Sequence, residues 1–163
     1  MDLSGQSAVQ QARTLAFAKA RAVAAELTQA VVLGADTVVS LGEQVIGKAR
    51  DRSHAREILS MLSGSSHRVI TALALLQAPR EQLSVAHDVT SLKMARLSDD
   101  QIEQYLDTGP WQGKAGAYAI QEDDAFISSV GGSFSNVVGL PMEMLERMLE
   151  QFLPAELLRE FRI

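Results

Sequence analysis

Cysteine is absent from this chain of 163 residues, which excludes a disulfide framework, a thiolate metal site and a cysteine nucleophile together. Also missing is any apolar run approaching the roughly 20 residues needed to span a bilayer. Residues 1–11 are small and polar rather than a charged stub before an apolar stretch, so they do not read as a secretory signal. The formal net charge is −5 with no basic block, so a broad cationic face for nucleic acid is not expected and any phosphate binding has to be local. His54, His67 and His87 lack the i, i+4 pairing and neighbouring carboxylates of a zinc site. No Gly-x-x-x-x-Gly-Lys-Ser/Thr loop, nucleophile elbow, internal repeat or linker is present. These absences leave a soluble, cytoplasmic protein of one domain, 1–163, with enough hydrophobic content, 47%, for one core.

The patterning that is present alternates between helix and strand. Residues 9–27 are rich in alanine with leucine and valine at helical spacing, predicting a long first helix. Residues 30–39 turn to a β-branched run that predicts a buried strand, and Gln44-Val45-Ile46-Gly47 predicts its hairpin partner. Asp51 is placed to cap a second helix that buries Ala55, Ile58, Leu59 and Leu62 and ends at Ser63-Gly64. Further strands are predicted at residues 67–76, 83–94, 117–121 and 126–130. Ser98 and Gln101 form a capping box for a short helix, and Pro141 suits the first turn of a last one. The fold class is therefore α/β or α+β.

Several residues break this pattern in ways that suggest chemistry. Asp36 sits inside Ala-Val-Val-Leu-Gly-Ala-Asp-Thr-Val-Val. Either it faces a wet cleft, where with Thr37 it suits a hard divalent cation or the activation of water, or it ends the strand and bonds local amides. On a helical wheel Lys19 falls among Leu15, Val23 and Leu27, on the apolar stripe. Its charge is then directed at a phosphate beside the helix or snorkels over the rim of the core. Lys48 follows a strand and a glycine, where a lysine can reach a ligand, although surface lysines after hairpins are ordinary. Gln121 closes a Gly-Lys-Ala-Gly-Ala-Tyr-Ala-Ile-Gln run, where its amide could read a base, orient water or merely end a strand. The stretch Gly131-Gly132-Ser133-Phe134-Ser135-Asn136-Val137-Val138-Gly139-Leu140-Pro141, leading into the last helix, either offers an anion site at a helix N-terminus or simply forms turns.

Taken in order, four landmarks resemble the Maf family of nucleoside-triphosphate pyrophosphatases, also called septum-formation proteins. They are Leu15-Ala16-Phe17-Ala18-Lys19-Ala20; Gly34-Ala35-Asp36-Thr37-Val38-Val39; Gly47-Lys48 with Leu62-Ser63-Gly64 and His67-Arg68-Val69-Ile70-Thr71; and residues 114–121 with Ser135-Asn136-Val137-Val138-Gly139-Leu140-Pro141. The resemblance spans nearly the whole chain. It implies an α/β fold with a mixed central sheet flanked by helices and two lobes around a cleft. It also implies hydrolysis of a nucleoside triphosphate to the monophosphate and pyrophosphate with Mg2+ or Mn2+. In that family's terms Asp36 is the catalytic and metal-linked acid, Lys19 and Lys48 hold the triphosphate, and Thr37 and Gln121 lie by the substrate. The Tyr-Ala-Ile-Gln form resembles the branch acting on dTTP and UTP. The family tends to dimerise, so a homodimer is implied, with neither nucleic acid nor membrane as partner.

Departures accompany the likeness. Family members begin with a strand leading into Ser-x-Ser-Pro-Arg-Arg, and this chain has neither; Met1 falls roughly where the family's first helix begins. Gly-Lys-Pro is Gly47-Lys48-Ala49 here, Pro110 stands where an acid is usual, and Glu122 replaces a glycine after Gln121. The expectation is an N-terminally truncated member, weak or inactive unless the protein starts upstream. The alternative function is a catalytically impaired nucleotide-binding or cell-division regulatory protein.

Overall fold

The computed structural model describes residues 2–78, 82–120 and 126–154. The first helix, α1 (Ala8–Ala24), starts at Ser7, whose hydroxyl accepts from the Gln10 amide while the Gln10 side chain accepts from the Ser7 amide. Strand β1 (Ala30–Leu41) turns tightly into β2 (Gln44–Ile46). Then come α2 (Arg52–Leu62), capped by Asp51, and the long hairpin β3 (Ser66–Ala78) and β4 (Gln82–Met94). Helix α3 (Asp99–Thr108) carries the Ser98–Gln101 capping box and stops at Gly109, whose φ of 82° is left-handed. Strand β5 (Ile127–Gly131), a short helix α4 (Phe134–Val138) and α5 (Met142–Phe152) complete the described chain. No helix among the described residues is long and apolar enough to cross a membrane.

The five strands lie in the order β2-β1-β3-β4-β5. Every pairing among the described residues is antiparallel, where a mixed sheet was expected. The difference lies in the connections. β1 and β2 are joined by a tight turn, and although α2 intervenes before β3, the chain re-enters the sheet beside β1 in the opposite direction. A parallel neighbour would require a crossover that returns the chain to the starting edge of the preceding strand.

Strand alternation divides the core between the two faces of the sheet. One face packs on α1 through Val32, Val38, Ile70, Ala72, Ala74 and Leu76. On the other face Val39, Val69, Leu92 and Met94 join α2 and α3, while Leu73 and Leu75 meet Met144, Leu145, Met148 and Phe152 of α5. Leu59 and Leu62, both fully buried, contribute roughly 1.5–3 kcal/mol each by leaving water.

The buried face of α1 differs from the expected stripe. It consists of Ala8, Ala12, Ala16, Ala20 and Ala24, whereas Leu15 is half-buried and Val23, Leu27 and Lys19 are exposed. The cause is closeness of approach. A Cβ added to Gly34 of β1 would lie 2.2 Å from the Ala16 carbonyl oxygen and 2.9 Å from the Ala20 Cβ, so only alanines fit where the helix crosses the strand. The other correction concerns the strand expected at residues 117–121. Gly116 and Ala117 both take left-handed backbone, φ 75° and 58°, and consecutive residues of that kind cannot continue a pleat. Residues 117–120 consequently form a mixture of turn and irregular backbone and no strand, and Gln121 lies outside the described residues.

Candidate active site

β2 pairs with β1 only from Val39 to Leu41. Before Val39, β1 therefore has a sheet neighbour on its β3 side alone among the described residues. A cleft of about 250 Å³ opens beside this free edge, with Ala35, Asp36, Thr37 and Val39 along the strand. Because the cleft meets the strand at its edge, side chains that project to opposite faces both reach it.

Asp36 resolves the choice left open by its sequence, since its carboxylate faces the cleft and is 15% exposed. Lys19 reaches it from α1, with Nζ 2.5 Å from Asp36 Oδ1, and also donates to the Ala35 carbonyl at 3.1 Å. Lys19 itself is 58% exposed. Lys48 leaves β2 just after Gly47, makes an isolated bridge to Ala115, and lines the same cleft with Lys114. Three lysines and one aspartate thus share the space among the described residues. Thr37 also faces it, its hydroxyl 2.9 Å from that of Thr71.

The walls are held by polar contacts. The Gly116 amide donates to the Gly47 carbonyl at 3.2 Å, and the Ala119 amide donates to the Tyr105 hydroxyl at 3.1 Å. Tyr118 lines the cleft while its hydroxyl lies 2.7 Å from His67 Nε2. His67 is 2% exposed, and burial lowers its pKa to about 4, so the ring is neutral. Burial, with a smaller effect of Tyr105, pushes the Tyr118 phenol above its ordinary range. On the opposite wall Gly139, at φ 112°, lies so close to Thr37 that a Cβ there would sit 3.3 Å from its hydroxyl oxygen.

The anion site considered at the last helix is closed by the protein's own groups. Ser133 caps α4, Ser135 accepts from the Met142 amide at the start of α5, and both hydroxyls donate to Glu143. Its own backbone amide and then those serines hold the Glu143 carboxyl below its usual range.

Four expected site residues, Lys19, Asp36, Thr37 and Lys48, therefore meet in one cleft. The fifth, Gln121, falls outside the described residues. Lys114 had no assigned role in the sequence reading, although its glycine-flanked segment stood out there. Asn136 was missed as a buried residue because an amide among serines and glycines reads as a turn. Its 0% exposure arises from long-range contacts with β3 and β4.

The arrangement can bind a polyanion and present one carboxylate to it, which is the combination that phosphoryl chemistry needs. No group of three or more His, Asp or Glu among the described residues is clustered to hold a metal ion. The family model for Maf-like protein matches residues 2–152. The chain is 47% identical over 139 residues to a dTTP/UTP pyrophosphatase of Symbiobacterium thermophilum, covering 85% of this chain and 71% of that one. It is 45% identical over 147 residues to one of Desulforamulus reducens, covering 90% and 77%. To one of Pelotomaculum thermopropionicum it is 42% identical over 149 residues, covering 91% and 78%.

Proposed function

The chain belongs to the Maf family, and on that premise we propose that it hydrolyses nucleoside triphosphates of the pyrimidine type, dTTP and UTP, to the monophosphate and pyrophosphate. The observation that carries this reading is the carboxylate of Asp36 facing three lysines in one cleft among the described residues.

In the reaction a water oxygen attacks the α-phosphorus. The bond from that phosphorus to the oxygen bridging α and β breaks, and pyrophosphate leaves with the electron pair. Asp36 accepts the water's proton, while Lys19, Lys48 and Lys114 offset the charge of the phosphates, the effect on which such transfers chiefly depend. Lys19 has to release Asp36 to do this. Its ion pair is half in water, and pairs of that kind contribute only about 0.2–1 kcal/mol, so a triphosphate outcompetes it.

The oxygen donors fit a divalent cation of the magnesium class. Such ions keep several waters and are held through one or two carboxylates together with substrate phosphates, a role open to Asp36. When bound, Mg2+ or Mn2+ neutralises phosphate charge and polarises the phosphorus–oxygen bond. For a substrate drawn from the nucleotide pool the expected location is the cytoplasm.

Release of pyrophosphate from UTP and dTTP with Mg2+ tests this reading. Asp36→Asn should lower kcat by at least about a hundredfold while binding of the nucleotide persists. A second reading, nucleotide binding without turnover, draws on the engagement of Asp36 by Lys19. Binding of UTP with no pyrophosphate release from the unmodified chain would select it.

A further inference from the structure

The cleft wall formed by residues 113–120 keeps its shape against its own backbone preference. Ala117, with φ 58°, is the one non-glycine residue with left-handed backbone among the described residues, a conformation that persists only where its surroundings over-determine it. Its amide donates to the Lys114 carbonyl at 3.3 Å, so Ala117 closes the turn that presents Lys114 to the cleft. Contacts on both sides hold that turn. Before it, the Gly116 amide donates to the Gly47 carbonyl at 3.2 Å and Ala115 bridges to Lys48. After it, the Ala119 amide donates to the Tyr105 hydroxyl at 3.1 Å, and the Tyr118 hydroxyl lies 2.7 Å from His67 Nε2. The last of these ties the wall to β3, the middle strand of the sheet. The two rings meet edge-on, with centroids 5.5 Å apart and planes at 80°. A Cβ on Gly116 would lie 3.1 Å from Tyr118 Cε1 and 3.2 Å from Val39 Cγ2, so the tyrosine ring is wedged beside the turn.

His67 is a poor choice for packing alone. Its ring is 2% exposed and its Nδ1 has no hydrogen-bond partner among the described residues, a penalty that an apolar side chain in the same place would avoid. What the ring does supply is the bond to Tyr118. Resting on the proposed pyrophosphatase reading, we infer that His67 is a positioning residue for the reaction: through the Tyr118 hydroxyl it holds residues 113–120 in the shape that aims Lys114 at the phosphates. Tyr118 and Lys114 line the cleft and His67 does not, so its influence passes through the wall. Without the bond, Ala117 relaxes toward ordinary backbone, the turn opens, and the lysine loses its aim.

Titration calorimetry with inorganic tripolyphosphate and Mg2+, well below the melting temperature of each variant, tests this without turnover. Lys114→Met should weaken tripolyphosphate roughly tenfold or more, as the loss of a charge-assisted contact does. Tyr118→Phe keeps the ring and removes only the hydroxyl, and should weaken it roughly three- to tenfold, the range of one neutral hydrogen bond. In the Lys114→Met background the same change should weaken binding by less than about twofold, because the residue it positions is gone. His67→Leu should reproduce both results, and His67→Gln, whose amide can take the place of Nε2, should recover the affinity of the unmodified protein. A merely structural role would lower Tm and weaken binding by the same factor with or without Lys114. Such equal losses, no loss in Lys114→Met or in Tyr118→Phe, or no recovery in His67→Gln overturns the proposal. Absence of pyrophosphate release while the dependence on Lys114 persists counts against the pyrophosphatase reading alone.

Discussion

His67 is a base that the fold keeps from taking a proton. It is buried against Tyr118, its Nδ1 has no hydrogen-bond partner among the described residues, and its pKa lies near 4. An unfolded chain protonates the same ring near its ordinary pKa of about 6.5. Between those values the unfolded state binds a proton that the folded state does not, so stability should fall as pH drops from about 6.5 to about 4 and level off below. The difference corresponds to about 3 kcal/mol. Urea midpoints across this range should show the slope in the parent protein and lose it in His67→Asn, whatever the variant's stability at neutral pH. Lys19 gives a contrasting expectation. Lys19→Met should leave Tm almost unchanged, as befits a half-exposed ion pair, while weakening tripolyphosphate binding roughly tenfold or more if the lysine contacts phosphate directly. The strand around Asp36 announced that residue plainly, because a carboxylate in an oily run needs an outlet. The wheel reached Lys19 for the wrong reason, since it weighed side-chain size and not how near the helix comes to the sheet. Asn136 was illegible, its significance residing wholly in partners more than 40 residues away.

Among the elements, α1 and β1 are locked by Gly34. Gly34→Ala would set a methyl against the Ala16 carbonyl and the Ala20 backbone, and neither can move without shifting the helix. We expect a loss of about 1–3 kcal/mol, the usual effect of overfilling a packed contact, read as a lowered Tm. Activity should suffer as well, through a higher KM, because α1 carries Lys19. Helix starts were the most legible part of the fold. Ser7 with Gln10, Asp51, and Ser98 with Gln101 all cap as local chemistry dictates. Residues 117–120 read as strand because their side chains are largely apolar, and they are indeed buried. Their backbone is set by the turn at Gly116 and Ala117 and by docking on Gly47 and Tyr105, which hydrophobic pattern alone does not encode.

At the scale of the whole molecule, an acidic protein of formal net charge −5 concentrates three lysines in its cleft. Attraction of a triphosphate is therefore a local field set against a repulsive background, and added salt screens both. Because the cleft charges lie nearest the ligand, KM should rise as ionic strength increases from about 0.01 M to about 0.15 M, over which the screening length shrinks from about 30 Å to about 8 Å. Steady-state kinetics in a series of KCl concentrations measures this, and a flat profile would speak against direct lysine–phosphate contact. The free margin of β1 has a different consequence. Backbone amides that point away from β3 there have no strand partner among the described residues, although they belong to regular structure. Deuterium should enter those positions on the timescale of a loop, while the amides of β3, enclosed between two neighbours, wait for global opening. An exchange map would then grade outward from the central strand, with the carboxylate at the cleft seated on a rapidly labelled border of the sheet.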